Sequence, residues 1–166
     1  MSQSEPLLSP TLDPGKFKHP ARTKDGAPRA DVAFGGLRTL WFNTGTLCNV
    51  TCGNCYIESS PRNDRLSYLT RRDIRQYLDE LADSGRQAEE IGFTGGEPFM
   101  NPDIISHLRD CLVRGYRVLV LTNAMRPLLN HKACLAELKA EFGAKLVLRI
   151  SIDHYSAALH DMERGK

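Results

Sequence analysis

From Leu37 onward, short apolar runs alternate with stretches whose apolar residues recur every three or four positions. The first run, Leu37 to Asn43, reads as a strand. A helix is expected from about Thr70, where Thr70 and Asp73 have the spacing of a capping box and Ile74, Tyr77, Leu78 and Leu81 form one stripe. A short second strand covers Glu90 to Thr94. The next helix takes Asn101 as its cap and Pro102 as its first residue, turns Ile104, Ile105, Leu108 and Leu112 inward, and stops at Gly115. Arg117 to Thr122 is a continuous apolar run, the mark of a strand covered on both faces. A third helix is expected from His131 to Glu141, with Leu135 and Leu138 inward and Gly143 ending it. Lys145 to Ile152 is the fourth strand, and a last helical pattern runs from His154 to Arg164.

Strand and helix in alternation imply an α/β fold with a parallel sheet and right-handed crossovers. Ligands in such sheets lie beyond the carboxyl ends of the strands. Four distinctive segments fall there: the loop after strand one, Gly95-Gly96-Glu97-Pro98, Thr122-Asn123, and Ser151-Ile152-Asp153. Their convergence on one rim carries more weight than any one of them.

Composition sets the frame. The chain has 166 residues, 41% of them apolar, enough for one domain with a real core. A formal charge of +2 gives no reason to expect nucleic acid or an anionic membrane as partner. No apolar run approaches the ~18 residues of a membrane span, and the first twenty residues lack a secretory apolar stretch. Five cysteines, an odd number, then favour a reducing cytoplasm and metal-binding thiols over a disulfide framework. Residues 1–33 hold five of the nine prolines and few periodic apolar positions, and read as an extended arm preceding a core domain at 34–166.

The chemistry concentrates after strand one, where Cys48, Cys52 and Cys55 lie within eight residues. The same spacing would put them on one face of a buried helix. Asn49, Val50, Thr51, Gly53 and Asn54 are mediocre or poor helix formers, so thiolates on a polar loop are better explained as metal ligands. Three soft thiolates can hold three irons of a cubic cluster and leave the fourth open. Zinc, the competing metal, wants a fourth protein ligand, and His131 and Cys134 stand at no recognisable spacing. The Gly95-Gly96-Glu97-Pro98 segment taken alone would be a turn. Beside the cysteines, its glycines let a ligand approach bare backbone, and its carbonyls and carboxylate suit an ammonium group.

Together, the CxxxCxxC loop, the GGEP segment and their order on successive strands resemble the radical S-adenosylmethionine (SAM) superfamily over about residues 37–160. The resemblance implies a partial (β/α)6 barrel in which Cys48, Cys52 and Cys55 hold a [4Fe–4S] cluster and SAM chelates the open iron. It further implies reductive cleavage of SAM to a 5′-deoxyadenosyl radical that abstracts hydrogen from a peptide or cofactor precursor. An electron donor of flavodoxin or ferredoxin type would serve it. Carried over residue by residue, Gly95, Gly96 and Glu97 would meet the SAM amino group. Asn123 and Ser151 would reach the ribose or carboxylate, and Tyr56 would lie over the adenine. Asp153 and His154 share the rim as candidates for substrate contact, with a helix cap the alternative for Asp153.

Two departures stand out. Asn54 precedes the third cysteine where the superfamily usually has an aromatic residue. Only about four of the expected six strands are present, so strand four would leave an open edge that invites a partner or self-association. A fragment of a longer enzyme is the favoured expectation. The alternatives to an enzyme are an iron–sulfur or zinc protein that carries electrons or holds a partner, and an inactive remnant. Cys111 is expected as a buried small hydrophobe, Cys134 and His131 as surface or packing residues, Arg71, Arg72 and Arg75 as a solvated helix face, and Trp41 as core.

Overall fold

The computed structural model describes residues 18–165. They divide into two units, one ending at Gly35 and one beginning at Gly36. Most of the expected proline-rich arm, residues 1–17, lies outside the described residues. What is described of the first unit is a turn in which Arg22 and Pro28 form an isolated antiparallel bridge.

The second unit carries four parallel strands in the order of the sequence: β1 (Leu37–Asn43), β2 (Ala88–Thr94), β3 (Arg117–Thr122) and β4 (Leu146–Ile150). The crossovers contain the helices α1 (Arg71–Asp83), α2 (Ile104–Val113), a single turn α3 (Arg126–Leu129) and α4 (Lys132–Phe142), and α5 (Ala157–Glu163) follows β4. The register pairs Phe42 with Phe93, Val120 with Phe93, and Val120 with Leu148. On that face, alternate strand residues pack against Ile74, Leu78, Ile104, Leu108, Cys111, Leu112 and Leu138, all essentially inaccessible to water. Burial of each large aliphatic side chain there stabilises the fold by roughly 1.5–3 kcal/mol.

Local signals act as expected at α1. The Thr70 hydroxyl accepts from the Asp73 amide, and the Asp73 carboxylate accepts from the Thr70 amide at 2.8 Å. The second helix starts later than Asn101 and Pro102 suggest. A short 3₁₀ turn, Pro98–Met100, intervenes, and the N-cap position of α2 falls on Asp103. Asn101 is buried instead. Its amide donates to the carbonyls of Thr44 and Leu69, and its oxygen accepts from Asp103. A side chain that caps a helix in the local pattern is thus used to tie the chain after β1 to the chain before α1.

Three further expectations are corrected. Trp41 is 44% exposed and is not core. It lies on the sheet face opposite the helices, where its ring fills the space above its register partner Gly92. Tyr77 is half exposed, with its ring tilted against that of Phe42. Arg71 and Arg75 are not simply solvated, because both make forked contacts with Asp110 on α2. Cys111 is fully buried, as expected, and burial pushes its thiol up to about 12.

Candidate functional site

Thr44 continues the strand pairing beyond β1 by donating from its backbone N–H to Thr94. Past this point both chains turn, and the two turns pack backbone against backbone. Gly96 N–H donates to Gly45 O at 2.9 Å, and Glu97 N–H donates to Leu47 O at 3.0 Å. A Cβ on Gly95 would come within 2.6 Å of the Gly45 carbonyl, and one on Gly96 within 2.6 Å of the Leu47 carbonyl carbon. Gly95 also has φ +135°, a conformation that side chains rarely adopt. The double glycine is therefore required for the glycine turn to lie directly on the lead-in to the cysteine loop.

A cavity of 240 Å³ opens at the carboxyl ends of the strands. Cys48, Cys52 and Cys55 line it, together with Tyr56, Gly95, Gly96, Asn123 and Ser151. Eight of the nine cofactor-site residues expected from sequence thus share one wall. Cys48 is buried, Cys52 and Cys55 are half-buried, and Tyr56 stands largely in solvent at the margin. Burial pushes the Cys48 thiol above its ordinary value. Glu97 and the other two thiols push it the same way, and a backbone hydrogen bond involving Val50 works against them.

Glu97, the ninth, is 2% exposed and lies beneath the cavity floor. Its carboxylate accepts from Phe99 N–H at 3.1 Å, Thr122 Oγ1 at 2.8 Å and Asn123 N–H at 2.9 Å. Burial pushes its carboxyl pKa above the ordinary value, and those three hydrogen bonds oppose the shift. Asn123 then carries the connection to the cysteine loop. Its amide nitrogen is 2.9 Å from Asn49 Oδ1 and 3.8 Å from Cys48 Sγ. The residues joined in this way come from the ends of β1, β2 and β3.

Sequence reasoning missed Asn49 and Arg164. Arg164 is 6% exposed, lines the cavity, forms an ion pair with Asp153 and donates to the Ser151 carbonyl at 2.8 Å. Nothing in the local pattern distinguishes it from a basic residue ending a surface helix. Asp153 does line the cavity, but its carboxylate goes to Arg164, and Ser156 occupies the N-cap position of α5. His154 does not line the cavity. Its ring stacks on Tyr155, and its Nδ1 accepts from Ser156 N–H. His131 occupies the N-cap position of α4 beside Phe99, and Cys134 is exposed. Neither reaches the three thiols' cavity.

The chemistry of the donor set fits an iron–sulfur cluster: three soft sulfur donors on one loop line a cavity with room beside them.

The model of the radical SAM superfamily matches residues 42–166. A bacteriocin (subtilosin) biosynthesis protein of Bacillus subtilis, AlbA, is 34% identical over 119 residues, which is 72% of this chain and 25% of that protein. An AdoMet-dependent heme synthase of Methanosarcina barkeri is 29% identical over 120 residues, 71% of this chain and 32% of the relative. Among solved structures, Streptococcus suis SuiB bound to S-adenosylmethionine superposes with a TM-score of 0.61 at 21% identity, covering 75% of this chain and 27% of SuiB. SuiB bound to its precursor peptide SuiA gives a TM-score of 0.62. At that identity the likeness speaks for the fold. The chain spans only about a quarter to a third of the length of these proteins.

Proposed function

This chain belongs to the radical SAM superfamily, and on that premise we propose that it is the cluster- and SAM-binding part of an enzyme that modifies a peptide or a cofactor precursor. The observation that carries the reading is the convergence of Cys48, Cys52 and Cys55 with Gly95, Gly96, Asn123 and Ser151 on one cavity. In this reading the three thiolates hold a [4Fe–4S] cluster. When bound there, cluster and SAM would supply radical hydrogen-abstraction chemistry.

The chain's own part is to bind and orient. Gly95 and Gly96 line the cavity, and in this reading their backbone carbonyls would meet the ammonium group of SAM. Glu97 acts from beneath. It holds the ends of β2 and β3 together, so that Asn123 stands beside the cysteine loop. Tyr56 and Ser151 bound the cavity at its margin and at the end of β4. The peptide branch is supported by the bacteriocin biosynthesis protein AlbA, and the cofactor branch by the heme synthase.

The decisive experiment is anaerobic reconstitution with iron and sulfide, then electron paramagnetic resonance of the reduced protein with and without SAM. A [4Fe–4S]⁺ signal that changes when SAM is added is the expected result. A cluster indifferent to SAM would leave the electron-carrier reading in its place.

A further inference from the structure

The cysteine loop is held from a distance, by a part of the chain more than a hundred residues later. Thr51 N–H donates to Arg164 O and Gly53 N–H donates to Glu163 O, each at 3.3 Å. These two amides flank Cys52. The acceptors belong to the last turn of α5, where a helix leaves its final carbonyls without internal partners. Gly165 follows with φ +69°, and a Cβ there would come within 2.6 Å of the Thr51 carbonyl oxygen. The Arg164 side chain runs the other way, into its ion pair with Asp153 and its hydrogen bond to Ser151 O. One residue therefore joins the metal loop, through its backbone, to the end of β4, through its guanidinium.

We propose that Arg164 and Gly165 form a clamp that sets the position of Cys52 in the metal loop, acting as positioning residues for the bound cluster. This rests on the cluster-binding reading above. Residues 51–54 are mostly exposed and contain a glycine and an asparagine, so the loop has little packing to define it. Two amide hydrogen bonds and one close backbone contact supply that definition. Arg164 carries the load because its buried guanidinium is fixed at both ends. A loop released from α5 would present Cys52 over a range of positions, and a cluster held at three points would lose one of them more often.

The test compares Arg164→Ala, Arg164→Lys and Gly165→Ala with the wild-type chain, and uses Leu138→Ala as a control that weakens the core away from the loop. Amide hydrogen exchange is measured at Thr51 and Gly53 in the cluster-free proteins. Loss of cluster absorbance is followed after reconstitution, under anaerobic challenge with a chelator. Arg164→Ala and Gly165→Ala are expected to speed exchange at those two amides and to bleach about tenfold faster, the range seen when residues supporting metal ligands are removed. Arg164→Lys, keeping a cation opposite Asp153, should recover part of the difference. Leu138→Ala should lower the unfolding midpoint and leave both readouts near wild type. Wild-type exchange and bleaching in both clamp variants, or equal changes in Leu138→Ala, would overturn the clamp. Failure of the cluster reading shows separately: Cys52→Ala would then retain its iron, while the exchange measurement would still report on the clamp.

Discussion

The Glu97 carboxylate lies 2.9 Å from the backbone nitrogen of Asn123, and so joins the turn after β2 to the turn after β3 beneath the cavity. The same carboxylate takes the Thr122 hydroxyl and the Phe99 amide. A residue that looks from its motif like a direct ligand for an ammonium group is, in the fold, a buried tie. On the function proposed above, its influence on a bound ligand would run through Asn123.

Glu97→Ala should therefore cost stability as well as ligand binding. Three donors lose their acceptor in a buried place, for an expected loss of about 2–4 kcal/mol. Glu97→Gln keeps one oxygen acceptor and should lose less. Urea denaturation of both variants checks the order. An Ala variant as stable as wild type would show that water replaces the carboxylate freely.

The two glycine environments separate cleanly. Gly96→Ala pushes a Cβ into the backbone of Leu47 and should destabilise by roughly 2–4 kcal/mol. Gly53, in the metal loop, has open space around a Cβ, and Gly53→Ala should stay within about 0.5 kcal/mol of wild type. Thermal unfolding of the pair measures the contrast.

Cys52→Ala should abolish cluster uptake and the brown colour that accompanies it, as read by iron content after reconstitution. Cys134→Ala, on the exposed face of α4, should load as wild type does. Full iron in the Cys52 variant would remove it from the ligand set.

Acid should weaken the protein in two stages. His107 is fully buried, with Nε2 at 3.0 Å from the Leu69 carbonyl, and burial pushes it below its ordinary value of 6.5. The unfolded chain then binds the proton first, so stability is present above about pH 6.5 and falls as the pH drops through it. Asp110 is held well below the usual carboxylate range by Arg71 and then Arg75. Its contribution is present above about pH 4 and is lost on further acidification. Unfolding free energy measured from pH 7 to pH 5 should decline in wild type, by at most about 1.4 kcal/mol per pH unit for one proton, and less steeply in His107→Leu. Parallel slopes would exclude His107 as the source.

The alternation of apolar runs with helical stripes determined the parallel α/β character of the fold, because each helix must cover the sheet while returning the chain to start the next strand in the same direction. Arg117 to Thr122 is the continuous apolar run expected of a strand covered on both faces, with Val118, Leu119 and Val120 all buried. The capping box at Thr70 and the three cysteines were equally legible, since both depend on residue types a few positions apart. Only the tertiary structure decided what each polar group at the rim does. Asn101 ties two segments where its local pattern suggested a cap, Glu97 turns inward, Trp41 covers Gly92 on the face opposite the helices, and Arg164 reaches the metal loop across more than a hundred residues of chain. The physical reason is common to all four. A buried polar or bulky group is placed by partners from distant segments, and no short-range pattern records which segments the fold brings together.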